Sequence, residues 1–372
     1  MPSLGRIPPV AAGLLGFALT RILTLVLAGL WNAGAAAGLL EHLAKGDGGW
    51  YLEIADSGYD SWPAGRPVVN GLQQGSNLAF FPLLPALIRA LTSVGYSPTV
   101  AGLMITSVAS LIAAWGLVRF GERVATPQVG ILLAILWGVL PGSVVLSMVL
   151  SEALFTALAV WTLVHLLRGN LLAAAALTAV AGLSRSTALA LVVAVLWVAI
   201  PLLRDRAQRG RAIVAIVIAP LGLIAYLAWV TVRVGSIDGY LVVQKQWNSG
   251  FDFGISLART VVTHVTSDLL LPDTIVSLTI IASLVLLVFL FAQRPPAPVL
   301  VYTVVCLLLI VGQVNYLNSR QRFLVVVFPL LLPLARGLMR CPMWMRVVVI
   351  AVAAGLSAFY GAWLLNVWPH SV

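Results

Sequence analysis

The chain of 372 residues is 61% hydrophobic and only 9% charged, with a mean hydropathy of +1.03 and a formal net charge of +10. This composition excludes an ordinary soluble domain and belongs to a polytopic membrane protein. The basic surplus does not mark a nucleic-acid binder, because the arginines are scattered among apolar runs and form no stripe or tail.

A helix needs about 20 apolar residues to cross a bilayer. Predicted spans in chain order are 10–31, 98–120, 128–147, 151–168, 170–184, 187–203, 212–234, 274–293, 297–314, 323–340 and 346–367. No small-residue cleavage site follows the first run, which is read as a retained span. Arg6, Arg119 with Arg123, Arg168, the run "RDRAQRGR" at 204–211, Arg294, and Arg336, Arg340 and Arg346 fall at alternate ends of these spans. They belong together in the cytoplasm, with the N-terminus inside. The segment "NLAFFPLLPALIRALTSVGY", Asn77 to Tyr96, would reverse every later loop if it crossed; with Pro82, Pro85 and Arg89 it reads as a juxtamembrane or re-entrant helix on the outer face.

This orientation sorts the acids. Glu41, Asp47, Glu53, Asp56, Asp60, Glu152, Asp238, Asp252, Asp268 and Asp273 come out external, and only Glu122 and Asp205 stay inside. Orientation rules weigh Lys and Arg and largely ignore acids, so the external pooling of carboxylates is an independent sign of a working outer face. The first external loop, 32–97, carries "KGDGGWYLEIADSGYD", with four of the twelve acidic residues. After the glycines around Asp47 it reads as a short helix. Trp50, Ile54, Tyr51 and Ala55 form its apolar side, and Glu53 and Asp56 face water. By spacing alone this is either an interfacial helix or a catalytic loop.

Glu152 opens a span on the outer side, where it serves as a helix-start charge or as an active-site contact. Arg185, Arg320 and Arg322 sit at outer span ends against the inside bias; arginine suits bidentate phosphate, and snorkelling is the plain alternative. Arg21 lies inside the first span, as a functional charge or paired to a carbonyl or acid. The second external loop, 235–272, with Tyr240, Lys245, Trp247, Asp252, Phe253, His264 and Asp268, reads as a lid over an acceptor. Cys306 and Cys341 show no metal or redox spacing, and His42, His165, His264 and His370 show no ligand spacing, so no metal or cofactor is expected. No Walker loop or dinucleotide fingerprint is present, which argues against a nucleotide-sugar donor.

Three ordered elements within the first 190 residues carry a resemblance. "GDGGWYLEIADSGY" is similar to a W-D-x-x-W-Y…G-Y loop at Asp47, Trp50, Tyr51, Gly58 and Tyr59, with Gly46 in place of the first aromatic. "FFPLLPAL" is similar to F-F-P-L-Y-P, with Leu84 for Tyr. "LSEALF", "LLRGN" and "AGLSRSTAL" resemble S-E-S-L-F and G-L-x-R-P-T-G, with Ser186 for Pro; "NSRQRFL" matches loosely.

The set resembles the PIG-V family of GPI mannosyltransferases and its bacterial relatives, within the GT-C class of membrane glycosyltransferases. The resemblance implies an all-α GT-C architecture of about eleven transmembrane helices, with juxtamembrane helices in the first external loop. It implies one integral membrane domain, a catalytic module at 1–234 followed by variable helices at 235–372. A polyprenyl-phosphate donor would give its sugar, mannose by family likeness, to a hydroxyl of a glycolipid, glycan or protein with inversion. Asp47 would be the base, Arg320, Arg322 and Arg185 would bind the donor phosphate, and Trp50, Tyr51, Glu152 and Tyr59 would contact substrate. The expected location is the plasma membrane, with the site extracytoplasmic. The rival readings are a polyprenyl-linked saccharide flippase or transporter, and a non-catalytic partner subunit with the same fold.

Overall fold

The computed structural model describes residues 8–31, 36–60, 66–69, 72–266, 271–314 and 316–368. Arg6, Asp268 and His370 lie outside these. The first helix, α1 (Pro9–Trp31), is followed by two short ones, α2 (Ala36–Leu43) and α3 (Asp47–Ser57), in the loop predicted to be external. A two-stranded antiparallel hairpin, Arg66–Val69 with Leu72–Gln74, leads to α4 (Leu83–Thr92). At about 1.5 Å per residue its 10 residues reach only about 15 Å, half of a hydrocarbon core. This agrees with a non-spanning segment at Asn77–Tyr96.

The transmembrane body follows as α5 (Pro98–Val124), α6 (Pro127–Gly138), α7 (Glu152–Leu167), α8 (Leu171–Gly182), α9 (Leu189–Leu202), α10 (Arg209–Ile218) and α11 (Leu221–Val234). The second external loop contains α12 (Gly239–Gln246) and α13 (Ile255–Thr266). The chain ends with α14 (Leu271–Ala292), α15 (Ala297–Gly312), α16 (Ser319–Leu324), α17 (Leu332–Arg340) and α18 (Met343–Asn366). Among the described residues, five stretches are long and apolar enough to cross a membrane: α1, α5, α10 with α11, α14 and α18. Shorter apolar helices occupy five further predicted spans. The molecule is an all-helical polytopic membrane protein.

α5 packs on α1, α4, α6 and α7, while α1 lies between α6 and α18, and α9 lies against α15. Small residues set the closest crossings. A Cβ on Gly121 of α5 would come within 2.3 Å of the Gly130 Cα of α6, and one on Gly222 of α11 within 1.8 Å of the Ala179 carbonyl of α8. Without water to drive apolar association, such backbone approach is what joins helices in lipid.

Two predicted spans are not continuous helices. The run 128–147 is helical only to Gly138, because Pro141 cannot extend the ladder. Residues 139–151 instead form a buried irregular segment with one 3-10 turn at Ser143–Ser147. Non-helical backbone survives at membrane depth only when protein groups satisfy it. Arg21 does so here: its guanidinium donates to the carbonyls of Gly138 and Ser143, and to Ser143 Oγ at 2.8 Å. The run 323–340 is also interrupted: α16 ends at Leu324, Pro329 lies in a 3-10 turn at Phe328–Leu331, and α17 begins at Leu332 with Pro333 in its first turn. Its freed Val325 and Val326 carbonyls accept from Trp137 Nε1 at 3.0 Å and Tyr302 Oη at 2.7 Å.

Candidate active site

A cavity of about 750 Å³ opens where the loop after α1, the starts of α7 and α9, the loop after α11 and the α15–α16 connection meet. Its charged lining consists of Asp47, Glu152, Arg185 and Arg322, from four separate segments of the chain. Each is delivered by a helix start or a short helix, so none sits in the apolar middle of a span.

Asp47 is the first residue of α3. The preceding Gly46 has φ 64° and ψ −127°, a backbone state that a side chain would strain. The turn that aims Asp47 inward is therefore the reason glycine stands at 46. The turn is held from both sides. Lys45 donates to the carbonyls of Leu364, Leu365 and Trp368 at 2.7, 2.9 and 3.0 Å, capping the end of α18. Val149 N donates to Leu43 O at 2.9 Å, which brings the segment before Glu152 against the loop.

Arg322 ties the cluster together. It donates to Asp47 Oδ2, and its Nε lies 3.6 Å from Glu152 Oε1, longer than a hydrogen bond but within ion-pair range. Arg185 donates to the same Glu152 Oε1 at 2.6 Å and to Ser151 Oγ at 3.1 Å. Both guanidiniums lie 4.9 Å from the centre of the Phe323 ring, a shared cation–π platform. Burial works against the charge on Arg322, but the Asp47 and Glu152 carboxylates outweigh it and raise its pKa. Tyr51 donates to Ser151 Oγ at 2.9 Å, and burial pushes its phenol up to about 12, so it remains a donor. Ser151 thus positions Arg185 and Tyr51 around Glu152.

The wall is aromatic. Phe80 stacks on Trp50 at 5.8 Å and meets Tyr51 edge-on at 5.3 Å, and Trp247 stands edge-on to both Trp50 and Phe80. From α12, Tyr240 and Gln244 line the cavity at i and i+4. Burial raises the Tyr240 phenol to about 12. The loop 235–272 thus contributes one wall of the cavity through Tyr240, Gln244, Trp247 and Ser249.

The structure brings Asp47, Glu152, Arg185, Arg322 and Tyr51 into one cavity, with Trp50 behind its wall. Two expected site residues lie elsewhere. Arg320 turns to the end of α15 and donates to the carbonyls of Ile310 at 2.7 Å, Val311 at 3.3 Å and Gln313. Tyr59 donates to Phe80 O at 2.8 Å and lines a separate hollow of about 220 Å³ with Pro82, Tyr226 and Trp229. Glu53 and Asp56 do not line the cavity, and Asp56 is exposed, as a wet helix face requires. Ser184, Thr187, Gln244 and Phe323 line it and escape a search for charged motifs.

Several buried atoms at the cavity have no hydrogen-bond partner: Glu152 Oε2, Ser184 Oγ, Thr187 Oγ1 and Arg322 Nε. Unsatisfied buried groups are rare in native proteins. One carboxylate oxygen and several donors left open in one cavity suit a ligand rich in hydroxyls and carrying an oxyanion. A second, apolar groove of about 630 Å³ runs along α4, α5 and α7, lined by Leu87, Leu91, Ile105, Leu154 and Trp161 among others. Its α7 lining, Leu154, Leu158, Trp161 and His165, lies on the face of that helix turned away from Glu152.

No family model matches the sequence, and no curated protein does either. Solved structures do match in fold. ArnT from Cupriavidus metallidurans bound to undecaprenyl phosphate is similar with a TM-score of 0.53 at 16% identity, over 92% of this chain and 63% of that one. Its apo state is similar with a TM-score of 0.52 at 14% identity, over 94% and 74%. The chain thus spans less than two thirds of the length of the lipid-bound ArnT. What the likeness shows is the architecture: a polytopic helical membrane protein with a GT-C fold.

Proposed function

We propose that this protein is a glycosyltransferase that moves a sugar from a polyprenyl-phosphate donor to a hydroxyl acceptor on the extracytoplasmic face of the plasma membrane. The observation that carries the reading is the single cavity in which Asp47, Glu152, Arg185 and Arg322 meet. The reaction needs one base to take the acceptor hydroxyl proton as its oxygen attacks the anomeric carbon. The bond from that carbon to the phosphate oxygen breaks through an oxocarbenium-like state, and the electron pair leaves with the phosphate. A phosphate leaving group is stabilised by cations, so no second carboxylic acid is required.

Asp47 is the base in this scheme. Arg322 pairs with it, and Arg322 and Arg185 stand ready for the phosphate. Glu152 Oε2 is free to accept from a sugar hydroxyl, and Tyr51 and Trp247 offer rings for the sugar face, with Trp50 backing them. The apolar groove along α7 suits the polyprenyl tail, and the undecaprenyl phosphate held by ArnT of the same fold supports that ligand class. The choice of mannose and inversion at the anomeric carbon rest on the PIG-V resemblance.

The test uses purified full-length protein, a polyprenyl-phosphate donor with labelled mannose, and an extracted membrane-lipid fraction as acceptor. Transfer of label is expected from the wild type, and Asp47→Asn should lower turnover by about 10²–10⁴ while the variant stays folded and binds donor. Full turnover in the folded Asp47→Asn variant refutes the base assignment. Movement of the lipid across a bilayer without glycosylated product would instead make the protein a transporter.

A further inference from the structure

The four residues Ser184, Arg185, Ser186 and Thr187 all line the cavity, and they enter a helix of 17 residues, Ser186–Leu202. The chain is extended at Arg185 (φ −159°, ψ 152°) and turns directly into that helix, whose first turn receives no side-chain cap. Arginine in the N-cap position cannot accept a hydrogen bond; Ala188 N donates to Arg185 O at 3.2 Å, so the N–H groups that helix geometry leaves open in this turn are those of Ser186 and Thr187. A helix start of this kind carries partial positive charge and favours an anion.

The second observation is independent of the helix. Ser184 is 2% exposed and Thr187 9% exposed, and neither hydroxyl has a partner. Hydroxyls in this fold ordinarily bond back one turn, as Thr156 does to Glu152 O at 2.7 Å and Thr178 to Ala174 O at 2.8 Å. Ser184 and Thr187 are therefore two buried donors held open beside an arginine and a helix start.

We propose that this turn is an oxyanion cradle in which Ser184 Oγ, Thr187 Oγ1, the first-turn N–H groups and Arg185 converge on one phosphate. The assignment rests on the donor class proposed above and adds the place and orientation of the headgroup. The convergent groups are donors, which match a phosphate because it only accepts. Glu152 Oε2 next to them is the reverse, an open acceptor, and matches a sugar hydroxyl. The ligand is thus ordered, with phosphate against 184–187 and sugar towards Glu152 and Asp47. The two arginines and two carboxylates of the cavity sum to no net charge. A bound phosphate therefore relies on the helix start and the two hydroxyls, and a lipid phosphate adds its apolar chain to what free phosphate offers.

The test measures equilibrium binding of farnesyl phosphate, farnesol and inorganic phosphate to the full-length protein in detergent. Wild type is expected to bind farnesyl phosphate at least about tenfold more tightly than farnesol. Ser184→Ala and Thr187→Val should each weaken farnesyl phosphate about tenfold and leave farnesol unchanged. Thr187→Ser, which keeps the hydroxyl, should bind as wild type; its failure to do so overturns the hydroxyl's role even if Thr187→Val is unstable. Variants that bind farnesyl phosphate as wild type does overturn the cradle and leave the donor class standing. A wild type with no preference for phosphate over alcohol overturns both. Inorganic phosphate binding as tightly as farnesyl phosphate overturns the lipid headgroup as occupant.

Discussion

Arg322 is shared by two carboxylates, and its removal has a calculable consequence. Its side chain is 8% exposed, that of Asp47 19% and that of Glu152 1%. Arg322→Met keeps most of the packing volume and strands Asp47, while Glu152 retains Arg185 at 2.6 Å. Deleting one partner of a buried pair costs about 3–5 kcal/mol, because the other charge is left uncompensated. Water reaches part of Asp47, so the lower end, about 3 kcal/mol, is expected; this is more than a hundredfold in the folded-to-unfolded ratio. Asp47→Asn alone leaves Arg322 beside Glu152 and should cost about 1–2 kcal/mol. The double variant strands neither group, since both charges are gone. It should be more stable than Arg322→Met alone, with a coupling of about 2–3 kcal/mol. Unfolding of the four proteins in mixed detergent micelles measures this cycle. Single costs that add within about 0.5 kcal/mol would refute the shared-cation reasoning.

Two further outcomes follow from the geometry. Arg320→Gln should lower stability by about 1–3 kcal/mol through the lost bonds to the Ile310, Val311 and Gln313 carbonyls, while the folded fraction keeps its KM for donor within about twofold; a tenfold rise in KM would return Arg320 to the cavity. The Tyr51 phenol, pushed up to about 12 by burial, keeps its proton in the folded chain where the unfolded chain loses it near the ordinary value of 10. Its contribution is complete below pH 10 and lost between pH 10 and 12, so that stability loss in alkaline unfolding curves should shrink in Tyr51→Phe, and an unchanged curve would contradict the burial.

Most of the fold was legible because a bilayer forces a coarse pattern: apolar runs of a given length and basic residues on one side. What that pattern does not carry is the backbone inside a run. The run 128–147 is apolar throughout, yet its helix ends at Gly138, and the signal was Pro141 rather than hydropathy. Arg21, more than 100 residues away, makes the break tolerable by meeting the Gly138 and Ser143 carbonyls. Sequence reading offered a carbonyl as one partner for Arg21; which carbonyl depends on the crossing of α1 with α6. Pro329 and Pro333 carried the same warning in the run 323–340, and there the freed carbonyls meet Trp137 and Tyr302.

At the site, the carboxylates and arginines were legible because ionisable residues are scarce in a chain only 9% charged. The sorting of Arg320 from Arg322 was open to a simple argument. Residues two apart on a helix point about 200° from each other, and α16 contains both, so one cavity cannot hold both guanidiniums. Arg322 is the one with a carboxylate to meet, and Arg320 faces the end of α15. Ser184 and Thr187 had no comparable signal. A hydroxyl in an apolar run ordinarily bonds its own helix, and only the coordinates reveal that these two do not. Their open state is also what distinguishes a phosphate cradle from an arginine cluster held together by its own ion pairs. Arg185 and Arg322 are already engaged by Glu152 and Asp47, so a bound phosphate must compete for them, whereas the first turn at Ser186 and the two hydroxyls displace nothing. The anion should therefore dock first at the turn and draw the guanidiniums second, which makes the loss of two neutral hydroxyls visible in binding even with both arginines in place.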